Sequence, residues 1–372
     1  LAYGVLRFHW RLSAQVDALL SRPLRRRDQI IHTLLAVGIY QLSDTRIAPH
    51  ATVSLTVESA KRLKRPKLAP LVNAVLRNFL RGKSAVPVSD EAHHNHPAWM
   101  LRLFQDDWPD HWQSIVEANN QRAPMWLRVN ARRSTAADYL RRLDGKGREQ
   151  PGVEQAIRLD HPQSVDDLPG FRQGDVSVQD AAAQLAAPWL AANRSHRVLD
   201  LCAAPGGKTA HLLELLGSDA SLTAVEADSK RAALIDDTLL RLDLRATVHV
   251  ADASILNDWW DSEPFERVLL DAPCSASGVV RRHPDIKHLR RPGDIAVLAS
   301  LQSRLLDTAW QVLAPGGRLL YATCSVLPAE NTEQTKKFLA QNGAWSHETE
   351  RQFLPSDGGD GFYSAHLSKS GL

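Results

Sequence analysis

Leu199-Asp200-Leu201-Cys202-Ala203-Ala204-Pro205-Gly206-Gly207-Lys208-Thr209 is the stretch on which the reading of the fold turns. Its apolar head, which begins at Val198, reads as a short buried strand. Its small residues and two glycines then open onto a helix. Glycine lets backbone approach a ligand closely, and a helix N-terminus offers unpaired N–H groups to it. The loop does not read G-x-G-x-x-G, the dinucleotide fingerprint. It matches only the end of a phosphate-binding G-x-x-x-x-G-K-[ST] loop, because Cys202 stands where the first glycine belongs.

Strands and helices alternate on both sides of this loop. Val176-Ser177-Val178 leads into a helix expected over 181–190, and strands are expected at 198–201, 222–225, 247–250, 268–270 and 319–322. Helical stretches at 230–242 and 295–313 lie between them. Such alternation predicts an α/β domain over 175–372, a parallel sheet covered by helices on both faces.

In that architecture the carboxyl ends of neighbouring strands line one crevice. Glu226 ends the second strand, where a carboxylate can accept from both hydroxyls of a ribose. Asp252 follows the third, placed for an adenine edge, and Asp271 ends the fourth. Carboxylates at strands two, three and four with a loop at strand one fit S-adenosylmethionine (SAM) better than NAD. Two cysteines follow two different strands, in Asp271-Ala272-Pro273-Cys274 and Ala322-Thr323-Cys324-Ser325. Cys202 follows a third. Thiols at strand ends can face a single substrate, one sulfur attacking and another helping to finish.

The rest of the chain is of a different kind. Residues 1–83 carry 15 Lys/Arg and 4 Asp/Glu, a net of +11 in a chain of net +3, which leaves −8 for residues 84–372. Apolar residues at i, i+3 and i+4 over 29–35 and 71–76 predict an all-α module. Its densest basic run is Lys61-Arg62-Leu63-Lys64-Arg65-Pro66-Lys67. A basic module on a mildly acidic enzyme points to a polyanion partner. Residues 84–174 read as a linker plus a small α+β unit, with strands at 125–130 and 156–159 and a helix at 135–143. Between Gly82 and Pro97, His93, His94 and His96 are expected in a solvated linker. No cysteine or carboxylate sits beside them at a ligand spacing, so no metal site is assigned.

Three cysteines cannot pair off, no secretory pattern opens the chain, and the longest apolar stretch, 30–42, is too short to span a bilayer. A cytoplasmic, monomeric, membrane-free protein is expected. The first residue is Leu rather than Met, so the natural start is expected to lie outside the numbered chain.

Residues 201–209, then Asp271-Ala272-Pro273-Cys274-Ser275, then Ala322-Thr323-Cys324-Ser325-Val326 resemble motifs I, IV and VI of the RNA 5-methylcytosine methyltransferases. Arg281-Arg282-His283-Pro284-Asp285-Ile286-Lys287 strengthens the likeness, which covers nearly the whole chain. Residues 1–83 resemble a NusB-type helical domain missing its first helices. Two departures are mild: Ser275-Ala276-Ser277-Gly278 where many relatives have Ser-Gly-Thr-Gly, and Glu226 where relatives often have Asp. The resemblance implies a Rossmann-like SAM-dependent methyltransferase domain, with small-subunit (16S) ribosomal RNA as substrate. The cofactor would be held by Ala203, Ala204, Pro205, Gly206, Gly207, Lys208, Thr209, Glu226, Asp252 and Asp271.

The resemblance also gives the cysteines their roles. Cytosine C5 is a weak nucleophile, and adding a thiolate to C6 turns the ring into an enamine that can attack a sulfonium methyl. Cys324 would be that nucleophile and Cys274 would aid product release, with Asp271 on the N3/N4 edge of the base. Arg281, Arg282, His283 and Lys287 would border the site and contact phosphate. Two other readings stay open at this stage: a non-catalytic RNA-binding assembly factor, and a DNA cytosine methyltransferase, in which Cys274 would attack.

Overall fold

The computed structural model describes residues 1–82, 89–217, 220–342, 345–356 and 358–371. The division expected between residues 83 and 84 lies outside them. The chain forms two compact units, Leu1–Arg122 with Val280–Arg290, and Ala123–Val279 with Arg291–Leu372. Among the described residues no helix is long and apolar enough to cross a membrane.

The first unit is all-helical, as its periodicity predicts. Leu12 and Val16 on His9–Leu19, Ile31, Leu35 and Ile39 on Gln29–Asp44, and Val72 and Leu76 on Ala69–Leu80 share one core. Spacing by four puts each set on one helix face. Pro49 and Pro70 sit in first turns, where the missing N–H costs nothing. Gly38 permits a close helix crossing, since a Cβ there would lie 2.9 Å from Leu76 Cδ2.

Two expectations fail in this unit. Part of the anticipated linker is the helix Asp90–His94, capped by Ser89. His96 is fully buried, with Nδ1 2.7 Å from the His94 carbonyl and Nε2 3.3 Å from Asn119 Nδ2. One near partner and one distant in sequence satisfy its ring, so it needs no solvent.

The basic segment is the second correction. Arg281 and Lys287 are each 1% exposed. Lys287 Nζ donates to the carbonyls of Arg7 (3.3 Å) and Asn95 (2.9 Å) and to Asn120 Oδ1 (2.8 Å). Arg7 donates to the Arg281 carbonyl at 2.7 Å, and the His288 ring stacks on Trp10. A buried cation is tolerated when oxygen dipoles replace its water, and burial drives the Lys287 pKa well down, with Arg7 adding repulsion. Arg281 and Lys287 are therefore fold residues and not phosphate contacts.

The second unit contains two sheets. Strands β1 (Trp126–Val129), β2 (Gly147–Gln150), β3 (Val153–Leu159) and β4 (Val176–Val178) form an antiparallel sheet in the order β2-β3-β1-β4. The helix Ala136–Arg142 covers one face over Leu127, Val129, Ile157 and Val176. Val176–Val178, expected with the larger sheet, instead pairs with β1, Val129 opposite Val176. The helix expected over 181–190 is two short ones, Ala181–Gln184 and Ala186–Leu190. Pro188 has no N–H to return to Gln184, so one continuous ladder is impossible.

The larger sheet comprises β5 (Val198–Leu201), β6 (Leu222–Glu226), β7 (Thr247–Val250), β8 (Phe265–Asp271), β9 (Leu313–Thr323), β10 (Trp345–Phe353) and β11 (Phe362–Lys369), in the order β10-β11-β9-β8-β5-β6-β7. Strands β5 to β9 are parallel as expected. Strands β10 and β11 are antiparallel and correct the expectation of an all-parallel sheet. Order reverses at β5, so the loops after β5 and β8 flank the switch point where such sheets bind ligands.

Replacing Lys287 with Met strands three acceptors and should destabilise the helical unit by about 2–4 kcal/mol. Urea unfolding followed by circular dichroism measures this. An unchanged transition with weakened RNA binding would restore the phosphate-contact reading.

Candidate active site

Each candidate side chain is placed by a strand end. After β5 the chain turns through Cys202 at φ 61° and Gly206 at φ 92° before entering the helix Gly207–Leu216. Gly206 is required twice over: its φ disfavours a side chain, and a Cβ would lie 3.0 Å from Ile235 Cα. Glu226, buried at the end of β6, accepts from the N–H groups of Asp228 (3.1 Å) and Ala204 (3.3 Å), with Arg231 3.4 Å away. It thereby ties the loop after β5 to the end of β6. Asp252, exposed after β7, accepts from the Ser254 side chain (2.7 Å) and N–H (2.9 Å), which hold its carboxyl below the usual range.

Asp200 is fully buried and accepts from Thr209 Oγ1 at 2.6 Å, while its other oxygen has no partner. Burial pushes its pKa up to about 7 despite the Thr209 hydrogen bond. Lys208 reaches Asp271 at 2.6 Å and lies over the Phe362 ring, 5.3 Å from its centre. Burial opposes the charge on Lys208, but Asp271 outweighs it and raises the pKa. The loop lysine thus spans to the end of β8.

The two motif cysteines meet. Strands β8 and β9 pair with Asp271 opposite Ala322, and the Ala272 N–H donates to the Ala322 carbonyl at 2.9 Å. Both chains therefore leave the sheet level with each other, and Cys274 Sγ lies 3.4 Å from Cys324 Sγ. Cys274 is buried and Cys324 partly open. The hydrogen bond with Cys324 raises the Cys274 pKa well above its ordinary value, and burial and the Glu330 charge add to it. Cys202 packs against the sheet core, and burial raises its pKa. The thiol contact therefore involves two of the three strand-end cysteines.

Two participants escaped the sequence reading. Arg128 on β1 donates to the Gly207 carbonyl at 2.8 Å, pairs in bidentate fashion with buried Glu214 (2.8 and 3.1 Å), and reaches Gln179. It anchors the first turn of the loop's helix. A lone arginine inside the apolar run 125–130 was the available signal. Glu330, in the turn Pro328–Glu330, is fully buried and accepts from Ser275 and Ser325, the residues following the two cysteines. Nothing in its local sequence marks it.

Comparison with known proteins identifies the family and its domains. A family described as 16S rRNA methyltransferase RsmB/F matches residues 187–368. A ferredoxin-like domain of RsmF/B-like methyltransferases matches 96–166, and the NusB family matches 1–81. The ribosomal RNA small subunit methyltransferase B of Vibrio cholerae is 48% identical over 383 residues, covering 99% of this chain and 88% of that protein. The chain belongs to the RsmB/F family. The same-named protein of Klebsiella pneumoniae strain 342 is 46% identical, with 99% and 89% covered. A solved methyltransferase homolog from Pyrococcus horikoshii superposes with TM-score 0.66 at 25% identity, covering 75% of this chain and 97% of that one. The resemblance drawn from the three motifs holds. So do the NusB-like domain, the small α+β domain, now identified as ferredoxin-like, and the Rossmann-like methyltransferase fold.

The raised Asp200 pKa has a stability consequence. Below about pH 4 both folded and unfolded states hold the proton. Between about pH 4 and 7 the unfolded chain releases it first, so stability falls as pH rises, by up to about 4 kcal/mol. Asp200→Asn should remove this slope. Denaturation midpoints of both proteins from pH 4.5 to 8 test it, and parallel curves would refute it.

Proposed function

We propose that this protein transfers a methyl group from S-adenosylmethionine to C5 of a cytosine in 16S ribosomal RNA, through a covalent bond between Cys324 and C6. The observation that carries this reading is the 3.4 Å contact between Cys324 and Cys274 at adjacent strand ends. Family membership supplies the methyl-transfer chemistry. The donor set fits the cofactor: a carboxylate for the ribose hydroxyls at Glu226, another for the adenine edge at Asp252, and a glycine-bearing loop at a ten-residue helix. SAM supplies an electrophilic methyl group. Everything else falls to the chain.

Cys324, the more open of the pair, adds to C6. The C5=C6 π electrons shift toward C4 and N3, and the resulting enamine attacks through C5, taking the methyl and leaving the donor sulfur as a neutral thioether. A base, water in the simplest case, takes the C5 proton, whose C–H electrons re-form C5=C6 as the C6–S bond breaks. Cys274, in contact with that departing sulfur, assists the elimination. Asp271, held by Lys208, is offered to the N3/N4 edge, where a hydrogen bond favours attack at C6. Taking a base out of a stack costs about a few kcal/mol, less in a single-stranded loop.

The division into residues 1–83, 84–174 and 175–372 assigns RNA binding to the first two parts and chemistry to the third. Lys61, Arg62, Lys64 and Lys67 are exposed, as a polyanion-binding surface needs. RNA affinity should fall steeply with salt, and a flat dependence would reduce the helical domain to a structural role. The place of action is the cytoplasm and the working form a monomer.

Incubation with methyl-labelled SAM and 16S ribosomal RNA tests the reaction. Cys324→Ala should lower incorporation by about 1,000-fold or more. Cys274→Ala should accumulate a protein–RNA adduct, seen as a slow band on a denaturing gel. Undiminished label with Cys324→Ala would overturn the nucleophile. Adducts that need Cys274 and form on DNA would mark a DNA methyltransferase. RNA binding with no label at all would mark a non-catalytic factor.

A further inference from the structure

Glu330 lies outside the three motifs, yet both of its oxygens serve the loops that carry the sulfurs. Oε1 accepts from the Ser275 N–H at 2.7 Å and from Gln302 Nε2 at 3.3 Å. Oε2 accepts from Ser275 Oγ and from Ser325 Oγ, each at 2.5 Å. Gln302 also donates to the Pro273 carbonyl at 2.9 Å. Both neighbours of Cys274 and the residue after Cys324 thus answer to one carboxylate.

The carboxylate is itself fixed. Tyr321, on the core of β9, donates to the Glu330 carbonyl at 2.6 Å. Neighbouring Asn331 accepts from Thr323 at 2.6 Å and donates to the Ser325 carbonyl at 3.0 Å. The loop after β9 is therefore braced on its own strand, and the loop after β8 is braced on Glu330.

We propose that Glu330 is a positioning residue for the thiol pair, setting the separation of the two sulfurs and which of them gives up its proton. The inference rests on the reading of Cys324 and Cys274 as the reacting pair. A carboxylate that holds the Cys274 loop so closely disfavours a second negative charge there. Cys274 then stays the protonated partner in the sulfur–sulfur hydrogen bond, which leaves attack to Cys324. The raised Cys274 pKa, to which the Glu330 charge contributes after the Cys324 hydrogen bond and burial, agrees. Distance and charge would thus be set by one residue that touches neither base nor cofactor.

Glu330→Gln keeps the shape and removes the charge. The kcat for methyl transfer should fall about tenfold or more, while the KM for SAM stays within about threefold of wild type. Without RNA or SAM, alkylation of Cys274 by iodoacetamide, mapped by mass spectrometry across pH, should move its midpoint lower by about half a unit or more. Cys202 serves as internal control and should not move. Ser275→Ala with Ser325→Ala should lower kcat while leaving the carboxylate, and adding Glu330→Gln should cost less than it does alone.

An unchanged Cys274 midpoint in a folded Glu330→Gln protein overturns the proposal, whatever happens to kcat. If that variant does not fold, a Ser325→Ala protein with kcat within twofold of wild type overturns it instead. The alkylation arm uses no substrate. A shifted midpoint in a protein that methylates no cytosine would leave the positioning role standing and sink the cytosine reading alone.

Discussion

The parallel pairing of β8 with β9 is the constraint on which the site depends. Parallel strands exchange evenly spaced hydrogen bonds, and after an irregularity between Phe265 and Arg267 the register runs unbroken from Arg267 opposite Arg318 to the end of the pair. With Asp271 opposite Ala322, residues 51 apart in sequence leave the sheet side by side. A slip of one residue would send each buried side chain of β9 to the opposite face of the sheet. Leu319 and Tyr321 on one face and Leu320 on the other, all buried, forbid it. The cysteines are adjacent because a hydrophobic core holds two backbones in step.

Around that pairing, the second unit spends buried charge sparingly, and its Arg128–Glu214 pair is well satisfied. Arg128 and Glu214 are each 1% exposed at the side chain, and the pair forms a fork of two bonds. Removing ions from water costs several kcal/mol each, and such a pair repays it only with good geometry and further hydrogen bonds. Arg128 has those in Gly207 and Gln179. The result is a rigid connection between β1 and the first turn of the helix Gly207–Leu216. Glu330 follows the same rule with four donors on two oxygens.

Much of this was legible in the chain, for reasons that can be named. Strands β5, β6, β8 and β9 announce themselves because strands covered on both faces carry apolar runs, and edge strand β7 shows in its two valines. The glycine-bearing loop after β5 and the two cysteine motifs are contiguous stretches, readable one residue at a time. Strand β10, Trp-Ser-His-Glu-Thr-Glu-Arg-Gln-Phe, was not legible because an edge strand keeps charge to discourage further pairing. Lys287, His96 and Glu330 were misread or missed for a common reason. Their partners are distant in sequence, at Arg7, Asn119 and Ser275, and no local pattern distinguishes a buried, satisfied polar group from an exposed one.

The loop bearing Cys274 also depends on a contact of backbone with backbone. The Gly278 N–H donates to the Cys324 carbonyl at 3.0 Å, and the Gly278 carbonyl accepts from the Gly361 N–H at 2.8 Å. A Cβ at Gly278 would come within 2.3 Å of the Gly361 oxygen. Gly361 immediately precedes β11, the strand that slots between β9 and β10. During synthesis, then, both cysteine loops leave the ribosome before Gly361 and β11, so the backbone contact that braces the turn at Gly278 is among the last to form.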